Sequence, residues 1–208
     1  MLRANNIVWV DGPVGRLETI YIPAQGQAQG VAVLNHPNPT QGGTNTNKVI
    51  QTAAKALSKL GYHCYLPNLR GVGQSDGEHN YGQGEVDDAL AVVAYAKAAH
   101  PEAQHKLAIA GFSFGGFVAS QLVHRVHADK LLLIGPAVAT YKIHSPNVPS
   151  VEDTLIIHGE IDDVVPLTMV TAWAKPQNLP IVIIPQAGHF FHGQLILLGK
   201  TIERYFEH

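Results

Sequence analysis

Three features of this 208-residue sequence predict an α/β fold: a mostly parallel central sheet with helices on both faces, behind an N-terminal antiparallel hairpin. Short continuous apolar runs recur at 31–35, 62–66, 106–110, 130–134, 154–157 and 181–184, the pattern of strands buried on both faces. Segments with helical spacing of apolar residues lie between them, and strands alternating with helices build parallel sheets. Charged residues are only 14% of the chain, against roughly 25% in an ordinary soluble domain, as expected where strands have no wet face.

The elements follow in order. Residues 7–10 are apolar and stop at Asp11-Gly12-Pro13, a turn sequence. In 17–22, Leu17, Thr19 and Tyr21 alternate with Glu18 and Ile20, so the two runs read as a hairpin with one wetter face. A Gln/Gly turn at 25–30 precedes the first buried strand, which ends at His36. In 47–60, Val49, Ile50, Ala53, Ala54, Leu57 and Leu60 follow helical spacing until Gly61 ends the helix. Residues 85–99 open with Glu85, Asp87 and Asp88, favourable at a helix N-terminus, and continue along an Ala/Val face. A third helix starts after Ser113, with Phe117, Val118, Gln121, Leu122 and Arg125 at helical spacing, and a fourth after Pro166. The last, 193–207, is expected to turn Leu195, Ile196, Leu198, Ile202 and Phe206 inward.

Composition excludes several function classes. A net charge of −2 with no Lys/Arg cluster removes the main attraction to nucleic acid or an anionic membrane. No run approaches the length of a membrane span, and 7–10 is too short for a signal-peptide core. A single cysteine forms no internal disulfide and fits a reducing compartment, so a cytoplasmic protein is expected. At this length the expectation is one domain over residues 1–208. The 12 histidines stand out. His124 and His127 have a spacing that can bind metal, but no third ligand accompanies them, and polar residues suit a helix C-terminus. No metal and no cofactor are expected.

The chemistry concentrates at three strand ends. Lys106-Leu-Ala-Ile-Ala-Gly111-Phe-Ser113-Phe-Gly115-Gly is an apolar strand, a Gly-x-Ser-x-Gly pentapeptide and the start of a helix. Glycines on both sides let the chain turn sharply and hold Ser113 on an exposed elbow, above helix N–H groups that can meet an oxyanion. A hydroxyl needs a base, and the base an orienting acid. Asp153-Thr-Leu-Ile-Ile-His-Gly-Glu160-Ile-Asp162-Asp163 places three acids after one strand, and Gly188-His189-Phe-Phe-His192 places two imidazoles after the last. In a parallel sheet these loops share one edge.

The chain resembles the α/β-hydrolases, and more narrowly the small lidless serine hydrolases. The resemblance runs from about residue 17 to 206 and rests on His36-Pro37-Asn38-Pro39, Arg70-Gly-Val-Gly-Gln-Ser75, Gly111–Gly115, His158-Gly-Glu-x-Asp162 and Gly188-His189-Phe-Phe-His192-Gly. It implies Ser113 as nucleophile, His189 as base and then acid, and Asp162 as the orienting carboxylate. The oxyanion hole would be the N–H of Phe114 and one near Asn38. Pro37 and Pro39 lack N–H groups, which leaves Asn38 the only donor of that tripeptide. A rigid turn is the structural alternative for Pro-Asn-Pro. The family often has Asp where Asn68 stands, a change expected to affect a loop hydrogen bond.

Glu160 and Asp163 compete with Asp162, and His192 competes with His189; the resemblance favours Asp162, and Gly188 favours presentation of His189. Gly71 and Gly73 do not continue into a dinucleotide-binding helix. His36 and His158 are expected to be hydrogen-bonded structural residues and Cys64 a core residue. Only residues 135–152 separate two strands where larger relatives insert a cap, so no separate cap domain is expected. Pro136, Tyr141, Ile143, Pro146, Val148 and Pro149 are candidate walls of an open pocket, and Trp173 is either a wall or a core residue. The expected activity is hydrolysis of an ester or thioester of a small-molecule acyl substrate through an acyl-enzyme. An amidase or peptidase, a non-catalytic binding protein and a metal-dependent hydrolase are the rivals. The oligomeric state is open, a homo-oligomer included.

Overall fold

The computed structural model describes residues 6–207; the ends of the expected 1–208 domain lie outside them. The chain begins with two strands, β1 (Ile7–Gly12) and β2 (Gly15–Ile22), paired antiparallel. β3 (Gly30–Asn35), α1 (Lys48–Lys59), β4 (Tyr62–Pro67), α2 (Gly84–Ala99), β5 (Leu107–Phe112), α3 (Phe114–Leu122) and β6 (Lys130–Ile134) follow. β7 (Thr154–Gly159), α4 (Leu167–Ala174), β8 (Ile181–Ile184) and α5 (Leu195–Phe206) complete it. The eight strands form one sheet in the order β1-β2-β4-β3-β5-β6-β7-β8, parallel from β4 to β8.

Each predicted strand and helix is present. The hairpin is less separate than its alternation suggests. β2 also pairs antiparallel with β4, and there Thr19 and Ile20 are both buried, so the wetter face does not run its full length.

Alternation along β5 shows how the layers are covered. Leu107 and Ile109 face the cluster built with α2, α3 and α4, while Ala108, Ala110 and Phe112 face the one built with α1 and α5. Burying each large apolar side chain contributes about 1.5–3 kcal/mol, and both faces of β3, β5 and β7 are buried throughout. Cys64 is among these core residues. One inward assignment fails: Ile196 is 79% exposed. α5 seats on α1 through Leu198, Gly199 and Ile202, with Thr52 beneath Gly199, and Ile196 lies off that seam and faces water.

The acids at the start of α2 do more than complement its dipole. Asp88 is buried and takes both Nε (2.9 Å) and Nη2 (2.7 Å) of Arg70, and the Arg70 backbone N–H as well (3.0 Å). Glu85, also buried, accepts from the N–H groups of Asn80 (2.7 Å) and Gly82 (2.8 Å). Together they fasten the long β4–α2 loop to the helix. Removing one partner of a buried pair leaves an uncompensated charge, so Asp88→Ala should lower stability by about 3–5 kcal/mol in urea unfolding. Arg125→Ala, which breaks the exposed pair with Asp87 (3.3 Å), should leave the midpoint unchanged.

Candidate active site

Ser113 sits between β5 and α3 at φ 55° and ψ −115°, a conformation that a non-glycine residue rarely adopts. The reason is packing without side chains. A Cβ on Gly111 would fall on the Gly115 carbonyl, and one on Gly115 would fall on the Asn35 carbonyl at the end of β3. The Ser113 N–H donates to the Ile134 carbonyl (3.0 Å), and its own carbonyl accepts from Gly116 (2.9 Å) and Ala137 (3.1 Å). The elbow is therefore fixed to the ends of β3 and β6, with the serine 6% exposed.

Asp162 and His189 reach the same edge from β7 and β8. His189 Nδ1 donates to Asp162 Oδ2 at 2.7 Å, and Asp162 Oδ1 accepts from the N–H groups of Val164 (3.0 Å) and Val165 (2.8 Å). Burial by itself raises the Asp162 carboxyl, but the His189 and Val165 hydrogen bonds and the adjacent imidazoles outweigh it and hold it below the usual range. The ring of His189 leans on Phe112 and on Phe190, with centroids 4.8 and 5.1 Å away. Glu160 joins the two loops: its carboxylate accepts from Gln186 N–H (2.8 Å), and the N–H groups of Glu160 and Ile161 donate to Ile184 and Ala187 (both 3.1 Å). Asp163 and His192 are exposed, and no hydrogen bond of theirs joins them to this group.

Ser113 and His189 line one cleft of about 90 Å³ with Pro37, Asn38, Gln41, Gly43 and Phe190. No Ser113–His189 hydrogen bond is formed; such contacts commonly tighten only with substrate. Phe114 opens α3, so its N–H has no earlier turn to donate to. The Asn38 N–H likewise donates to no group among the described residues. The Asn38 side-chain oxygen is already taken by the Thr40 N–H (3.0 Å) and hydroxyl (2.9 Å), so it caps a short 3₁₀ turn.

The expected structural histidines hold these loops. His36 Nδ1 donates to the Pro37 carbonyl (2.7 Å) and its Nε2 accepts from Leu69 N–H (3.1 Å), tying the Asn38 segment to the end of β4. Complete burial pushes its pKa down to about 4. His158 Nε2 donates to the Val165 carbonyl (2.9 Å) and lies 3.5 Å from Asp162, and burial lowers it as well. Asn68 joins Asn45 N–H (2.9 Å) to the Glu18 carboxylate (2.8 Å), a loop role as expected.

A larger cavity of about 540 Å³ lies between residues 80–83 and 140–143, lined by Asn80, Tyr81, Gln83, Tyr141, Lys142 and Ile143. The buried Phe114 ring meets Tyr141 edge-on at 5.4 Å, so the residue after Ser113 packs behind one wall of this cavity. Tyr141 and Ile143 are thus wall residues. Trp173 is not: it packs on the core and its indole N–H donates to the Ser145 carbonyl (3.0 Å), bracing the 135–152 segment. Tyr81, at φ 51° and largely exposed, is a wall residue that no sequence pattern marked.

A strand–elbow–helix with an imidazole–carboxylate pair on the same sheet edge defines the α/β serine hydrolase class. The family model described as serine aminopeptidase S33 matches residues 39–153, over half of the chain. An uncharacterized protein of Rickettsia prowazekii (strain Madrid E) is 34% identical over 95% of this chain and 87% of its own length. The structure of an α/β serine hydrolase homologue from Coxiella burnetii is 33% identical, covers 98% of both chains and superposes with a TM-score of 0.88. A Xanthomonas campestris α/β serine hydrolase described as without lid is 32% identical over 97% of this chain and 93% of that one, with a TM-score of 0.89. The chain belongs to this α/β serine hydrolase family, in its lidless subgroup. No helix among the described residues is long and apolar enough to cross a membrane.

The loop histidines set an acid limit on the fold. His36 has a pKa of about 4 folded and about 6.5 unfolded, so the unfolded chain binds the proton first as pH falls. Stability from neutral His36 is complete above about pH 6.5 and lost on the way to about pH 4, on the order of 3 kcal/mol in all. Asp162, depressed rather than raised, gives up its contribution only below about pH 4. Urea midpoints measured from pH 7 to 4.5 should fall for the native chain and fall less for His36→Asn. Equal slopes would place the titration elsewhere.

Proposed function

We propose that the protein is a metal-independent hydrolase of a carboxylic ester or thioester, acting on a small-molecule acyl substrate through an acyl-enzyme on Ser113. The observation that carries this reading is the 2.7 Å bond from His189 Nδ1 to Asp162. It fixes the ring proton on Nδ1 and leaves Nε2 as a base in the cleft that holds Ser113.

Ser113 Oγ attacks the carbonyl carbon as its proton passes to His189 Nε2. The oxygen of the tetrahedral intermediate takes the N–H groups of Phe114 and Asn38. His189 then returns the proton to the departing alcohol or thiol, and Asp162 steadies the imidazolium without taking a proton itself. Water adds by the reverse route: His189 takes its proton, the acid is released and Ser113 recovers its hydroxyl. The cleft beside Asn38 accommodates a small group, and the cavity at Tyr81 and Tyr141 offers room for the larger part of the substrate.

Amide hydrolysis is the second reading, favoured by the aminopeptidase description of the matching family. The same three residues serve it, and the pocket decides the leaving group. Parallel assays with chromogenic esters, thioesters and aminoacyl anilides separate the two.

A fluorophosphonate probe should label the folded protein at Ser113, and Ser113→Ala should abolish both labelling and turnover. Asp162→Asn should lower kcat by about 10⁴-fold, the scale seen when a triad loses its orienting acid. Chelator should leave the rate unchanged. Absence of labelling on folded protein would favour a binding protein, and activity retained in Ser113→Ala would sink the serine mechanism.

A further inference from the structure

At the end of the sheet opposite the catalytic edge, two imidazoles lie face to face. His63 on β4 and His100, which closes α2, stack with centroids 3.6 Å apart and planes within 8°. Tyrosine hydroxyls hold their outer nitrogens: Tyr21 is 2.8 Å from His63 Nδ1, and Tyr65 is 2.8 Å from His100 Nε2. The remaining nitrogens share one neighbour. Glu102 Oε1 lies 3.7 Å from His63 Nε2 and 3.4 Å from His100 Nδ1. Among the described residues this is the one group of three His, Cys, Asp or Glu side chains whose ligand atoms converge within 4.8 Å.

We propose that His63 Nε2, His100 Nδ1 and Glu102 Oε1 bind one divalent transition-metal ion, which clamps the C-terminal end of α2 to β4. Direct hydrogen bonds from the imidazoles to the carboxylate would bring these atoms to about 2.7–2.9 Å. Ligands at 2.0–2.1 Å around one tetrahedral ion instead stand about 3.3–3.4 Å apart. The observed separations of 3.4 and 3.7 Å lie nearer the second arrangement. Two imidazoles and a carboxylate suit Zn²⁺, Ni²⁺ or Cu²⁺, with water completing the shell. The tyrosines act as partners that orient the liganding rings.

His63 Nδ1 accepts from the Ala24 N–H (3.3 Å), which places the ring proton on Nε2, and metal binding moves that proton to Nδ1. Two local adjustments accompany binding. The rings open from their parallel stack so that one ion can lie in both planes, and His63 Nδ1 donates to Tyr21 in place of accepting the longer Ala24 N–H bond (3.3 Å).

The site is remote from the chemistry. His63 is in register with Val31, and Val31 with Leu107. Ser113 stands six residues beyond Leu107, about 20 Å along the strand at about 3.3 Å per residue. The ion is therefore structural, and hydrolysis does not depend on it.

Calorimetric titration of chelator-treated protein with ZnCl₂ tests the site, and Co²⁺ absorption reports its ligand geometry. Wild type should bind one equivalent with a rise in thermal midpoint. Glu102→Gln, an exposed change, should weaken binding about 10-fold or more, and His100→Gln about 100-fold. His189→Ala should bind as wild type does, and Glu102→Gln should keep the wild-type rate on a chromogenic ester. Failure of wild type to bind Zn²⁺ would overturn the proposal, as would equal binding by Glu102→Gln and His100→Gln.

Discussion

At the end of β5 the chain turns through a point where backbone meets backbone with no side chain between. The Gly111 and Gly115 α-carbons press on carbonyls of the elbow itself and of β3, and Ser113 is held in a sparsely populated conformation as a result. That strain is of the order of 1–3 kcal/mol. It is held by hydrogen bonds from the elbow to Ile134 and Ala137 and by the fully buried strands beneath. The orientation of α3, the free N–H of Phe114 and the seating of the Asn38 segment all follow from this turn. A parallel sheet then delivers the other functional loops to the same edge, because the C-terminal ends of its strands lie together.

Buried polar groups carry out the remaining positioning. Arg70 and Asp88, Glu85 with the 80–82 backbone, His36 between Pro37 and Leu69, and Glu160 against Gln186 each join a loop to an element with a fixed address. None of these groups needs to touch substrate. They share a design in which a low-charge chain places polar side chains where hydrogen bonds are hard to replace by water.

The sequence made the strands legible because burial on both faces leaves unbroken apolar runs; the resemblance singled out Asp162 and Gly188 favoured His189, and the structure pairs these two on the edge that holds Ser113. Phe114 and Asn38 are proposed as oxyanion donors on the resemblance, supported for Asn38 by the flanking prolines that lack an N–H. What the sequence concealed was distance across the fold. Ile196 has the right spacing to be buried, but spacing does not tell which residues of α5 the seam with α1 covers. Glu85 and Asp88 look like ordinary helix-start acids until the β4–α2 loop closes over them. His63 and His100 are separated by a whole helix, and only the antiparallel return of α2 along β4 stacks their rings. His124 and His127, the pair whose spacing drew attention, are exposed on the surface instead.

The bonds from Glu160 and Ile161 to the 184–187 segment have a mechanical consequence. The proposed acid and base, Asp162 and His189, ride on one piece of the molecule, the outer strands β7 and β8 with their joined loops, while the proposed nucleophile Ser113 is anchored in the interior. A shift of that outer piece conserves the carboxylate–imidazole pair and changes a single spacing, from Nε2 to the serine oxygen. The reactive geometry thus has one soft coordinate, and it lies across the cleft where substrate enters.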